Sequence, residues 1–164
     1  MQGTIIQVSV SPGGVPKRAI PSAEVTPLGL VGDGHAHPAI HGGPRKAVLI
    51  ISAEMMDGLA ARGFPVFYGA FGENLTTRGL TFARLRVGDQ IRAGDALLEI
   101  TQPRGPCSAL DIYGAGIQQE IYDARVKALD HTSPKWGMSG LYASVVRPGL
   151  VRTDDIIAVV AQLA

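Results

Sequence analysis

Cysteine is almost missing from this chain: Cys107 is the only one in 164 residues. A single thiol cannot form an internal disulfide, and an iron–sulfur cluster held by cysteines needs several on one chain. Any iron–sulfur electron donor must therefore be another protein. An excess of one charge is also missing. The formal net charge is +1, with no basic tract, which argues against a dedicated nucleic-acid or membrane-surface partner. No apolar run approaches the ~20 residues that span a bilayer. The first residues, Met1 to Ile6, lack the basic start and long apolar centre of a secretion leader, so the cytoplasm is the expected compartment. Aromatic residues make up only 5% of the chain, whereas glycine occurs 21 times. That combination favours short strands and many turns over a helical bundle. Neither a Gly-Lys-Ser/Thr phosphate loop nor a Gly-x-Gly-x-x-Gly fingerprint after a clear strand is present.

The hydrophobic fraction of 46% is ordinary for a folded protein, and the length suits a single domain, residues 1–164, with a real core. Gly3–Val10 reads as a first strand, and Ala23–Gly32 as a second, interrupted by Pro27 and Gly29. Ala47–Ile51 is a buried-strand candidate. Ser52 offers an N-cap to a short helix, Ala53–Arg62, ended by Gly63; its Met55 and Met56 read as core filler. Gly-Asp turns divide Leu85–Ile100 into short β segments. Gln118–Leu129 is predicted as a second helix, and Leu141–Val146 and Asp155–Val160 as late strands. The expected fold is mainly β, a compact barrel with peripheral helices.

Three stretches carry chemistry. Cys107 follows the apolar run Ala96–Ile100 and sits on the loop Pro103-Arg104-Gly105-Pro106, stiffened by two prolines. A thiolate is the form that binds soft metals, and a nearby cation favours it; a buried small hydrophobe is the alternative. The second stretch, Gly32–Lys46, holds His35, His37 and His41. These would suit zinc only with a fourth ligand such as Cys107 delivered by the fold. Its Gly42-Gly43 allows close backbone approach to an anion, with Arg45 and Lys46 adding charge. In the third, Gly72-Glu73-Asn74-Leu75-Thr76-Thr77, Asn74 carries donors and an acceptor suited to a heterocycle edge. Thr76 and Thr77 serve the same ligand or cap a turn.

Gly32-Asp33, His41-Gly42-Gly43, Gly72-Glu73-Asn74-Leu75-Thr76, Val87-Gly88-Asp89 and Arg104-Gly105-Pro106-Cys107 occur in this order over nearly the whole chain. The succession resembles the MOSC family, named for the C-terminal domain of molybdenum cofactor sulfurase, and in particular its stand-alone bacterial members. The resemblance implies a MOSC-type β-barrel that carries the molybdenum cofactor, a molybdopterin, with Cys107 as the thiolate ligand to Mo. It also implies reduction of N-hydroxylated small molecules (hydroxylamines, amidoximes, N-hydroxylated purines), with electrons from a separate flavin or iron–sulfur protein. Lys17, Arg18, Arg45, Lys46 and Arg104 are the cations available for the cofactor phosphate. His41, Asn74, Thr76 and the backbone of Gly42 and Gly43 are available for the pterin. Asp111, one turn after Cys107, either orients substrate and shuttles a proton or caps the helix expected near Ser108. Tyr113, Trp136 and Tyr142 read as packing residues. Longer members carry extra C-terminal helical sequence, which bears on closure of the site. Two other readings stand beside this one: a carrier of the cofactor or of persulfide sulfur on Cys107, and a small barrel without catalysis. A monomer or a homodimer is expected.

Overall fold

The computed structural model describes residues 1–34 and 42–162. Seven strands close into a mixed barrel: β1 (Gln2–Val10), β11 (Ile156–Ala161), β7 (Gln90–Ala93), β8 (Ala96–Pro103), β9 (Leu141–Arg147), β5 (Val48–Ser52) and β6 (Leu75–Arg78), with β6 returning to β1. All neighbours are antiparallel except β5 and β6. A parallel pair needs a crossover, and the connection here carries helix α1 (Ala53–Ala61). Ser52 caps that helix as its residue type predicts, its Oγ accepting from the Met55 N–H at 3.3 Å. Short β2 (Arg18–Ile20) extends the sheet beside the far end of β1. A separate three-stranded sheet of β10 (Gly149–Arg152), β3 (Ser22–Thr26) and β4 (Gly29–Leu30) lies apart from the barrel ladder.

The barrel interior is aliphatic: Ile5, Val8, Ile50, Leu75, Ile91, Leu98, Ile100 and Ile157 belong to one buried cluster. Every residue of β5 is buried, because its two faces meet two different cores. Ile50 points into the barrel, whereas Ile51 joins a second cluster with Met56, Leu59, Phe71, Leu110, Ile117 and Ile121. That second cluster packs the helical segments onto the outside of the barrel. It also gives Met55 and Met56 of α1 the core role expected of them.

The helix predicted over 118–129 is two short ones, α2 (Ile117–Ile121) and α3 (Ala124–Lys127). Tyr122 and Asp123 between them are extended, and the Asp123 carboxylate accepts from the Val126 N–H at 2.8 Å. An Asp side chain that caps a new helix competes with continuing the old one. Ser108–Tyr113 forms a 3-10 segment starting directly after Cys107. Among the described residues no helix is long and apolar enough to cross a membrane.

Candidate functional site

A cavity of about 410 Å³ opens where the loop after β1, the β5 and β9 strands and the Cys107 loop meet. Its polar wall is made by Lys17, Lys46, Asn74, Arg104, Cys107 and Tyr142, and its apolar wall by Val15, Leu49 and Phe71. No Asp or Glu lines it among the described residues. The volume is that of a small-molecule site.

The Cys107 loop leaves the end of β8 and runs into the 3-10 segment at Ser108. Arg104 is held there through its backbone: its N–H donates to the Gly140 carbonyl at 2.9 Å and its carbonyl accepts from the Ser139 hydroxyl. The Arg104 side chain is only 3% exposed. Its Nε and Nη1 are buried without a hydrogen-bond partner among the described residues. Burial pulls the guanidinium pKa below its ordinary value, while its interactions with Tyr142, Cys107 and Glu73 oppose that shift. Cys107 is half-buried and free. Burial pushes the Tyr142 hydroxyl up, with the Arg104 charge pulling the other way. The Lys46 ammonium sits 5.6 Å from the centre of the Tyr142 ring, within range of a cation–π contact.

The opposite wall is a polar frame. Asp33 accepts from the Ser11 N–H at 3.0 Å and from Asn74 Nδ2 at 2.8 Å, and forms a buried ion pair with Lys17. Asn74 spends its remaining polar capacity on backbone: Oδ1 accepts from the Leu49 N–H at 3.1 Å and Nδ2 reaches the Ser9 carbonyl at 3.3 Å. Its side chain thus ties β1, β5 and the Asp33 turn together at the cavity edge. Glu73 is fully buried. Its carboxylate accepts from the Gly69 N–H at 2.6 Å, the Phe71 N–H at 3.1 Å and the Thr76 hydroxyl at 3.2 Å. Burial raises its pKa although those bonds act to lower it.

Of the residues singled out in the sequence, the cavity brings together Lys17, Gly42, Lys46, Asn74, Arg104 and Cys107. It does not bring in Arg18, Gly43, Arg45, Thr76 or Asp111. Arg18 is exposed on β2, and Arg45 is exposed while its carbonyl accepts from the Thr101 hydroxyl at 2.5 Å. Gly43 takes φ 84° as the residue before a 3-10 turn, Pro44–Lys46. Thr76 is consumed by Glu73. Asp111 is exposed and receives a bond from Gln118 Nε2 at 2.8 Å rather than capping the segment after Cys107. His35, His37 and His41 lie outside the described residues. No cluster of three metal-ligating side chains occurs among the described residues.

Two site residues were not legible beforehand. Tyr142 reads as packing in the sequence because it sits inside a β-type run, yet it reaches the cavity from the end of β9. Asp33 stands in a Gly-Asp-Gly turn with no sequence neighbour to pair with; its partners are 22, 16 and 41 residues away.

A family model described as "MOSC domain" matches residues 37–158. The protein YiiM of Escherichia coli (strain K12) is 34% identical over 145 residues, covering 85% of this chain and 60% of its own length. The crystal structure of E. coli YiiM covers 100% of this chain, which matches 72% of it, with a TM-score of 0.72 at 27% identity. Another crystal structure, of a hypothetical protein, covers 100% of this chain and 70% of its own, with a TM-score of 0.76 at 31% identity. A protein of Gibberella moniliformis named "Reductase" is 35% identical over 88 residues, 51% of this chain and 16% of that one. The chain thus spans less than two thirds of the length of these curated relatives.

Proposed function

The chain belongs to the MOSC domain family, and we propose that it is a molybdenum-cofactor-binding oxidoreductase that reduces N-hydroxylated compounds to the corresponding amines or amidines. The observation that carries this reading is the placement of the sole cysteine. Cys107 opens into a cavity that also holds two cationic side chains, Lys46 and Arg104, outside the Lys17–Asp33 pair, and no acidic lining residue among those described. The donor set fits the group. A soft thiolate suits a metal already held by sulfur, and a cationic, carboxylate-free wall suits a phosphorylated ligand. Cys107 would ligate the metal, Lys46 and Arg104 would face the phosphate, and Val15, Leu49 and Phe71 would cover the pterin and exclude water. The match to a fungal protein named reductase supports a redox role.

When bound, the cofactor supplies the two-electron chemistry that removes oxygen from nitrogen. The balance is R–NHOH + 2 e⁻ + 2 H⁺ → R–NH₂ + H₂O. This chain's residues supply position and protons. Burial keeps the Tyr142 hydroxyl protonated, so a neutral donor stands in the cavity wall. The Lys46 ammonium beside it is a second donor. Asp111, outside the cavity, has no part in this relay. With one cysteine, the chain takes its electrons from a separate flavin or iron–sulfur protein.

Protein made in a cofactor-proficient host tests the reading. Reduction of a hydroxylamine or amidoxime is expected with an artificial donor such as reduced viologen. No reduction is expected with NADH or NADPH alone, and turnover should return when a flavin or iron–sulfur reductase is added. Fully molybdenum-loaded protein that reduces no N-hydroxylated compound would overturn the enzymatic reading. Sustained turnover on NADPH without a second protein would overturn the electron-supply part.

A further inference from the structure

The loop that carries Cys107 is tied by backbone hydrogen bonds at its two ends. At its start the Arg104 N–H donates to the Gly140 carbonyl at 2.9 Å. At its end the Cys107 carbonyl accepts from the Leu110 N–H at 3.1 Å, and Leu110 is buried in the second cluster. Between these tethers Gly105 and Pro106 make no hydrogen bond among the described residues. A side chain bounds this stretch instead. Apart from chain neighbours, a Cβ built on Gly105 would meet only Tyr122 within 4 Å among the described residues, its Oη at 3.7 Å and its Cζ at 3.9 Å. Pro106 has a fixed φ, so a shift of Gly105 is carried on towards Cys107 and not absorbed between them.

Tyr122 reaches Gly105 because of the break between α2 and α3. Its backbone is extended where one continuous helix would have wound it onward. Asp123 holds the break: one carboxylate oxygen accepts from the Val126 N–H at 2.8 Å, and the other from the Ser133 hydroxyl at 2.8 Å. The Tyr122 ring packs against the second cluster. Burial pushes its hydroxyl pKa up, and the charge of Asp123 acts in the same direction. The group that meets the loop is thus a neutral phenol on a packed base.

We propose that Tyr122 is a positioning residue for the Cys107 thiol: its phenol bounds the stretch 105–107 and so sets where the thiol stands in the cavity. The consequence for metal binding rests on the reading of Cys107 as the metal's ligand. The effect on the thiol itself does not.

With one cysteine in the chain, alkylation by iodoacetamide reports on Cys107 alone. The protein is made in a host unable to synthesise the molybdenum cofactor, and rates are taken under native conditions on variants with wild-type circular dichroism. Tyr122→Ala should speed alkylation by about fivefold or more, because losing a packing contact makes local opening easier. Tyr122→Leu keeps apolar bulk on the cluster without reaching Gly105, and carries the same expectation should Tyr122→Ala not fold. Tyr122→Phe keeps the ring and should lie between Tyr122→Ala and the wild type. Ile51→Val removes a methyl group from the same cluster on β5; it should lower stability and leave the rate unchanged. A wild-type or slower rate in folded Tyr122→Ala or Tyr122→Leu would overturn the proposal. So would equal acceleration by Ile51→Val, which would trace the effect to the cluster as a whole. In a cofactor-proficient host, Tyr122→Ala should carry less molybdenum than the wild type. Full molybdenum beside faster alkylation would overturn the consequence for metal binding. A wild type without molybdenum would sink the parent reading, while the alkylation rates would still decide the positioning of the thiol.

Discussion

At the scale of single residues, the polar groups around the cavity divide into those that hold the frame and those that face the space. Asp33 belongs to the frame. Its carboxylate serves the Ser11 N–H, Lys17 and Asn74 together. Asp33→Ala strands the Lys17 ammonium in a buried position, and breaking such a pair costs about 3–5 kcal/mol. Urea denaturation should show that loss; a midpoint equal to the wild type would show that the pair is not buried in solution. Glu73 yields a prediction in pH. Burial raises its pKa above 4.5, so the folded chain holds this proton more tightly than the unfolded chain. The stabilisation from this group is therefore present below its unfolded pKa and is lost as pH rises through the folded value. Glu73→Gln carries no such charge. The stability of the wild type relative to that variant should fall as the pH rises above 4.5, followed by chemical denaturation. A difference that stays flat would contradict the assignment. The sequence showed Glu73 and Asp33 only as members of motifs, because the groups that satisfy Asp33 arrive from distant segments. For Asn74, the donor and acceptor inventory pointed to a heterocycle edge, whereas its side chain bonds Leu49, Ser9 and Asp33. Its partners are backbone and Asp33, a use that residue type alone does not distinguish from a ligand contact.

At the scale of elements, what was legible follows from local chemistry. The strand at Val48–Ser52, the Ser52-capped helix and the Gly-Asp-punctuated β7–β8 hairpin all announce themselves through apolar runs, caps and turns. β6 was hidden, because Leu75–Arg78 is mostly polar; its Thr76 and Thr77 are nonetheless fully buried between β1 and β5. The break between α2 and α3 was hidden too, since an Asp inside a helical pattern reads as an exposed polar position until it caps a new turn. The loop from Ser11 to Lys17, which rims the cavity, is seated by glycines on the neighbouring segment. Gly69 has φ 99°, and a Cβ there would lie 2.1 Å from the Lys17 carbonyl oxygen, while the Gly69 carbonyl accepts from the Lys17 N–H at 2.8 Å. Gly69→Ala should therefore lower stability by about 1 kcal/mol or more, since it meets both a left-handed backbone and a backbone clash. It should also weaken cofactor retention by moving Lys17 and Val15. Thermal denaturation and molybdenum content check the two effects; a variant unchanged in both would mean that the loop accommodates the methyl group freely.

At the scale of the whole molecule, barrel closure makes the site. β8, β9 and β5 are neighbours in the barrel, so the Cys107 loop leaving β8, Tyr142 on β9 and Leu49 on β5 converge although they are far apart in sequence. The mainly β barrel was expected from glycine abundance, scarce aromatics and the ordered motifs. The convergence itself was visible only as the order of those motifs, because no local pattern states which strand ends meet. Several of the residues named beforehand do meet at one cavity, and the exposed bases Arg18 and Arg45 do not. The charge that matters there is on Arg104 and Lys46. Everything proposed about the reaction depends on the thiol that this convergence delivers. The decisive measurement is molybdenum content by elemental analysis, with pterin fluorescence in parallel, on wild-type protein and Cys107→Ser made side by side in a cofactor-proficient host. The wild type should carry stoichiometric molybdenum and pterin. Cys107→Ser, folded as judged by its circular dichroism, should carry little metal and reduce no hydroxylamine. Molybdenum equal to wild type in Cys107→Ser, with reduction of a hydroxylamine intact, would contradict Cys107 as the protein's ligand to the metal.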